Sequence, residues 1–269
     1  MSRLEQDLDL AHALADEADE ITLRRFQAVD LRVETKPDLT PVSDADRAVE
    51  AALRRRLESE RPADAVLGEE FGSAPGTDEE PTPRRWIVDP VDGTKNFVRG
   101  VPVWATLIAL EEEGRIAAGV VSAPALGRRW WAHRAGGAWT GPNRAGARRC
   151  AVSAVSDLAD AHLSYSSLAG WAAQGRLGAF LDLSGSVWRT RAFGDFWSHV
   201  LVAEGAVDIS CEPEVALWDL APLQVIVEEA GGRFTDLRGE PRPDGGSVVV
   251  TNGILHEVTL ARLAGSNSP

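Results

Sequence analysis

A mixed α and β fold is what this chain of 269 residues predicts, and three textures predict it. The opening segment carries apolar side chains at helical spacing. Residues 105–140 hold short apolar runs separated by turn residues, and after residue 150 strand and helix patterns alternate. A chain of this length can bury a large core, as one domain or as two closely packed halves.

Leu4, Leu8, Ala11, Ala15, Ala18 and Ile21 mark one face of a long first helix. Segment 34–42 is polar and holds two prolines, so it reads as loop or extended edge. Ser43 or Asp44 can cap a second helix that turns Ala48, Val49, Ala52, Leu53 and Leu57 inward. Ala65-Val66-Leu67 is a possible strand running into Gly68-Glu69-Glu70. Gly72 to Pro83, rich in Pro, Gly, Thr and acid, reads as a mobile surface loop. Trp86-Ile87-Val88 is an apolar run of the kind found in buried strands. Thr106 to Leu110 and Ile116 to Ser122 flank a Glu-Gly-Arg turn, and Trp130-Trp131 pairs with Ala138-Trp139 across Gly136-Gly137. Further strands are expected at Leu163 to Ser166, Val207 to Cys211, Gly232 to Thr235 and Val248 to Thr251. Helices are expected near 167–181, 195–205, 219–230 and 254–263.

Composition narrows the function classes. Hydrophobic residues make up 44% and charged residues 26%, an ordinary balance for a globular protein. A formal charge of −13 argues against a nucleic-acid partner that needs broad phosphate neutralisation. Cys150 and Cys211 offer neither a disulfide framework nor zinc spacing and read as reduced thiols. The N-terminal residues are acidic and amphipathic without an apolar signal core, and no run is long enough to span a membrane, so a cytoplasmic protein with no membrane partner is expected. Five histidines show no ligand spacing and read as structural. Of nine tryptophans most read as core, with Trp171 and Trp197 as candidate pocket walls.

The chemistry concentrates in Asp89-Pro90-Val91-Asp92-Gly93-Thr94. Asp89 falls at the end of the apolar run, where Pro90 removes a ladder hydrogen bond. Two acids three residues apart repel unless a cation lies between them, and magnesium suits such oxygen ligands. Gly93 lets the backbone approach a ligand, and a helix beginning near Thr94 would aim free N–H groups at an anion. The pattern reads as metal plus phosphate; its competitor is a solvated turn. Glu69 and Glu70 read as a charged loop or as ligands. Asp219, in Trp218-Asp219-Leu220-Ala221-Pro222, reads as a helix N-cap with Pro222 in the first turn, or as a ligand.

Taken in order, Gly68-Glu69-Glu70, Trp86 through Phe97, and Trp218-Asp219 resemble the inositol monophosphatase family of magnesium-dependent phosphomonoesterases. Lys36-Pro37-Asp38-Leu39-Thr40-Pro41-Val42-Ser43-Asp44-Ala45-Asp46, Gly194-Asp195-Phe196-Trp197 and Ala203 through Asp208 are most similar to its bacterial histidinol-phosphatases. The resemblance implies a layered α-β-α-β-α sandwich of the inositol monophosphatase/fructose-1,6-bisphosphatase type, with the site between two halves. The halves are 1–145, α+β with the metal motifs, and 146–269, α/β, in one compact domain.

It also implies two to three Mg2+ per subunit. Glu69, Asp89 and the Val91 carbonyl would hold the first, Asp89, Asp92 and Asp219 the second, and Glu69 with waters a third. Glu70 takes no such role, because strand alternation would turn it away from Glu69. Thr94 and Glu69 would orient the attacking water, with Asp46 rather than Asp44 supporting Thr94. The Gly93 and Thr94 amides would hold phosphate. The 72–83 loop is expected to be disordered without metal.

For the substrate, Asp195 and Glu212 would suit the cationic groups of histidinol, although Asp195 could equally be a helix cap. Arg191 could steer phosphate or pair with Asp195, and Lys95 could reach substrate or a neighbouring subunit. The implied protein is a homodimeric phosphatase of histidine synthesis acting on a small phosphorylated substrate. Alternatives are an inositol-1-monophosphatase or other nucleotide or sugar phosphatase, and a non-catalytic binding partner in a larger assembly.

Overall fold

Residues 2–37, 39–76 and 83–264 are described in the computed structural model of the chain. Helix α1 (Arg3–Arg25) begins with a reciprocal pair, Ser2 accepting from the Glu5 amide and Glu5 from the Ser2 amide. The polar segment that follows forms a small antiparallel hairpin of β1 (Val33–Thr35) and β2 (Pro41–Ser43). Ser43 caps α2 (Asp44–Glu60) and completes a capping box with Asp46. Asp44 instead pairs with Arg25 at 2.8 Å, so of the two candidate caps the serine is the one used.

An eight-stranded sheet comes next, built from β3 (Ala65–Gly68), β4 (Gly72–Ala74) and β5 (Arg84–Asp92), then, after the short α3 (Thr94–Val98), from β6 (Ala105–Glu112), β7 (Arg115–Ala123), β8 (Arg128–His133), β9 (Ala138–Gly141) and β10 (Arg148–Arg149). Its spatial order is β10-β9-β8-β7-β6-β5-β3-β4. Both expected hairpins are present, with Leu110 opposite Ala118 and Trp131 opposite Trp139. Gly72–Ala74, expected as loop, pairs with β3. Residues 77–82 of that expected loop lie outside the described residues.

A five-stranded sheet follows: β11 (His162–Ser164), then helices α4 (Leu168–Ala173) and α5 (Leu177–Ser186), β12 (Arg189–Arg191), α6 (Asp195–Ala203), β13 (Ile209–Glu212), α7 (Leu217–Glu229), β14 (Arg233–Thr235), β15 (Val248–Thr251) and α8 (His256–Leu263), with strand order β12-β11-β13-β15-β14. The single helix expected over 167–181 is therefore two. The break lets Trp171 of α4 stack on Phe180 of α5, ring centroids 4.7 Å apart, so that one core takes both rings.

Side-chain alternation along β5 shows how the layers form. Trp86 and Val88 enter the core beneath α1 and α2, while Ile87 enters the core beneath α6 and α7. Burial on both faces explains the unbroken apolar run, and each such side chain contributes roughly 1.5–3 kcal/mol. Helices α6 and α7 also contact the smaller sheet, whose other face packs with α5 and α8. The order of layers is thus helix, sheet, helix, sheet, helix, as the family resemblance implied. No described helix is long and apolar enough to cross a membrane.

Candidate active site

A break in the pairing of β5 builds the centre of the site. Asp89 stands opposite Leu107 and Asp92 opposite Ala105, so β5 spends three steps where β6 spends two. Regular alternation would point residues three apart to opposite faces; the extra residue beside Pro90 brings both carboxylates to one side. Asp219 reaches them from the first turn of α7. One carboxylate oxygen from each of Asp89, Asp92 and Asp219 lies within 4.8 Å of the others. Backbone amides fix their aim: Val91 N–H donates to Asp89 at 2.9 Å, Phe196 N–H to Asp92 at 2.7 Å, and Ala216 N–H to Asp219 at 3.0 Å.

Asp219 is not the N-cap of its helix. Ala216 is, and Asp219 sits three residues in, which moves Pro222 out of the first turn and into the helix body. The helix starts earlier than expected: the Asp219 side chain reaches back to accept from the Ala216 amide, the N3 half of a capping box, while Ala216 itself has no side-chain cap to offer.

The trio is electrostatically unfavourable by itself. Burial pushes the Asp89 and Asp92 carboxyls well above the usual range, Glu69 adding most to Asp89 and Asp195 to Asp92. Burial likewise pushes Asp219 up to about 7, with Glu69 and Glu212 contributing. Among the described residues no lysine or arginine forms an ion pair with any of the three. An all-oxygen donor set with unbalanced negative charge fits a hard divalent cation.

Glu69 lies just past β3, its amide donating to the Val88 carbonyl at 3.2 Å. Beneath it the fully buried Glu50 accepts from the Glu70 and Phe71 amides at 2.7 and 3.1 Å. A Cβ on Gly68 would lie 2.0 Å from a Glu50 oxygen, so a side chain there would displace the buried carboxylate. Lys36 contacts both Glu69 at 2.7 Å and Glu70 at 2.5 Å. The two glutamates therefore face the same way, contrary to the alternation expected, because the strand ends at Gly68 and turn residues do not alternate. Glu50 gives no sequence signal of its own; with Arg54 it resembles any i,i+4 helix pair.

Gly93 adopts φ +84°, and a Cβ on it would meet the Val103 carbonyl at 3.0 Å. It opens the five-residue α3, as expected. Thr94 Oγ1 lies 3.1 Å from Asp46 Oδ1 and 2.9 Å from the Val91 carbonyl oxygen. Asp46 is fully buried, its other oxygen taken by Ser43, and burial raises its carboxyl above the usual range. Of the two acids in that segment it is Asp46 that meets Thr94.

A cavity of about 530 Å³ opens beside the trio, and Asp92, Lys95, Asp195, His199, Glu212 and Asp219 line it. Asp195 has φ +48° and makes no capping bond; Gly194 holds the cap position, so the cap expectation fails. Its amide donates to Ser166 Oγ at 3.0 Å, and its carboxylate accepts from Asn96 Nδ2 at 3.3 Å. Burial, then Glu212, pushes Asp195 up to about 6. Glu212 ends β13 with its Oε1 3.1 Å from His199 Nε2. His199, which the sequence did not single out, thus lies on the cavity wall beside Glu212.

Arg191 does not join this group. It is exposed at the end of β12, donates to the neighbouring Thr190 carbonyl at 2.7 Å, and forms no ion pair with Asp195 among the described residues. Trp171 is wholly buried, and Trp197 is half-buried and packs at a tilt against Phe193 at the edge of a core; neither lines this cavity. A larger cavity, about 610 Å³, lies apart, lined by arginines and acids that include the 2.7 Å pairs Arg85–Glu111 and Arg242–Asp244. It contains none of the acids above.

Comparison with known proteins agrees with this architecture. The sequence profile of the inositol monophosphatase family matches residues 3–267. The chain is 60% identical over 257 residues to the histidinol-phosphatase of Mycobacterium tuberculosis, covering 96% of this chain and 97% of that one. It is 59% identical to the histidinol-phosphatase of Streptomyces coelicolor, covering 96% of each. Among solved structures, the extragenic suppressor protein suhB of Bartonella henselae superposes with a TM-score of 0.86 at 30% identity, over 97% of this chain and 99% of that one.

Proposed function

This chain belongs to the inositol monophosphatase family and is a phosphomonoesterase, and from that premise we propose that it hydrolyses L-histidinol phosphate to L-histidinol and phosphate, with magnesium, in histidine synthesis. One observation carries the choice of substrate: Asp195 and Glu212 stand on the wall of the same cavity as Asp92 and Asp219. A leaving group with an ammonium and an imidazole supplies the positive charge that two neighbouring carboxylates need, whereas a neutral polyol supplies only hydroxyls.

In this proposal Glu69, Asp89 and the Val91 carbonyl hold one magnesium, Asp89, Asp92 and Asp219 a second, and Glu69 a weaker third. Bound there, the metal supplies an activated water and offsets charge on the departing oxygen. The protein's own groups position the reactants. Thr94, donating its hydroxyl hydrogen to Asp46, keeps its lone pairs for a hydrogen of the attacking water, and Glu69 accepts the other. The Gly93 and Thr94 amides receive phosphate oxygens. Asp195 and Glu212 receive the cationic end of the alcohol. A cytoplasmic homodimer belongs to the same proposal, and sedimentation equilibrium checks the dimer.

The test is magnesium-dependent phosphate release from L-histidinol phosphate, beside myo-inositol 1-phosphate and 3′-phosphoadenosine 5′-phosphate, with Asp92→Asn as control. We expect a preference for histidinol phosphate of about a hundredfold in kcat/KM, roughly 2.7 kcal/mol of transition-state discrimination. Equal rates on all three would overturn the substrate assignment, and no release from any would favour a non-catalytic partner.

A further inference from the structure

Inside the cavity one contact has no part in the chemistry above. His199, on α6, is 1% exposed. Its Nε2 lies 3.1 Å from Glu212 Oε1, and its Nδ1 is buried with no hydrogen-bond partner. A hydrogen on Nδ1 would have nothing to bond with, so the geometry favours the tautomer that carries it on Nε2 and donates to Glu212.

We infer that His199 is a positioning residue that selects cationic leaving groups, by holding the Glu212 carboxylate toward the cavity with a donor that leaves its charge uncancelled. Glu212 closes β13 and has a side chain with three rotatable bonds; without a partner it is free to turn into solvent. An arginine or lysine at position 199 would fix it equally well but would form an ion pair and remove the charge that attracts a cation. A buried apolar residue would fix nothing. Asp195 does not replace the histidine: its carboxylate accepts from Asn96 of α3 at 3.3 Å. The pair Glu212–His199 is thus assembled from β13 and α6.

The inference rests on histidinol phosphate being the substrate, and the experiment separates the two. His199→Phe keeps an aromatic ring without the donor, and His199→Gln restores an N–H at about the same reach. kcat and KM are measured for each on L-histidinol phosphate and on p-nitrophenyl phosphate, whose leaving group carries no positive charge. For His199→Phe we expect KM for histidinol phosphate to rise about tenfold or more, the scale of one lost hydrogen bond to a charged group, with kcat nearly unchanged. We also expect p-nitrophenyl phosphate to be cleaved as by the wild type, and His199→Gln to recover most of the loss. Equal losses on both substrates, or an unchanged KM for histidinol phosphate, would overturn the role of His199 while leaving the enzyme's substrate intact. A wild type that itself shows no preference for histidinol phosphate would instead remove the substrate reading. Should His199→Phe fail to fold, His199→Gln compared with His199→Asn, whose amide is too short to reach Glu212, gives the same contrast; equal KM values for those two would overturn it.

Discussion

Strand β5 ends in two buried clusters of charge that are solved in opposite ways. At its start Arg84, 3% exposed, reaches Asp7 at 2.7 Å, Asp64 at 3.2 Å and Glu112 at 2.7 Å. Arg61 adds a second contact to Asp7 at 3.1 Å, and the Trp86 indole donates to Asp64 at 3.0 Å. At its other end Asp89, Asp92 and Asp219 crowd together with further acids around them. The first cluster brings its own cation and is a structural joint between α1, β5 and β6. In the second, no lysine or arginine among the described residues pairs with Asp89, Asp92 or Asp219, and their donor set could hold a cation. Acid content alone does not separate the two; what does is whether the chain supplies a guanidinium.

That contrast can be broken at either end. Asp92→Asn should lower magnesium-dependent kcat/KM by about a thousandfold, roughly 4 kcal/mol of transition-state stabilisation. The neutral amide keeps the Phe196 bond, so circular dichroism should be unchanged. Arg84→Met should lower stability by about 3 kcal/mol, because Asp7 and Asp64 stay buried without the guanidinium. Urea unfolding measures this, and activity assayed well below the melting temperature should survive. A Arg84→Met protein as stable as wild type would show that the joint contributes nothing net.

Magnesium at about a hundred times its Kd should stabilise the wild type by roughly 2.7 kcal/mol. Arg84→Met should gain similarly and Asp92→Asn much less, as thermal melts would show. Smallest of all, in chelator Asp92→Asn should match or exceed the wild type by about 1 kcal/mol, since one of several mutually repelling carboxylates is gone. A less stable Asp92→Asn in chelator would mean that the trio is not strained without its metal.

Much of this was legible in the residues. The apolar run before Asp89, the missing amide of Pro90 and the glycine at 93 together specify a strand whose ladder is interrupted and that hands over to a helix, and β5 and α3 do this. The layers were legible only through family resemblance, since periodicity does not say which sheet a helix covers. What escaped was set by contacts between distant segments. That Glu69 and Glu70 both reach Lys36 depends on where β3 stops and on Glu50 from α2. Asp195 was read as substrate-facing only through family resemblance, and its φ of +48° at the start of α6 is announced by no pattern. His199 looked like one more residue on an amphipathic helix; only the fold puts Glu212 opposite it.

Asp219 comes from far along the chain, on α7, and closes a set that β5 leaves incomplete. During synthesis the ribosome delivers β5 long before α7, so a growing chain carries two of the three acids and only a partial claim on a metal ion. On the proposed function the ligand set would be complete only once the later segment has docked, and metal binding would then report completed assembly.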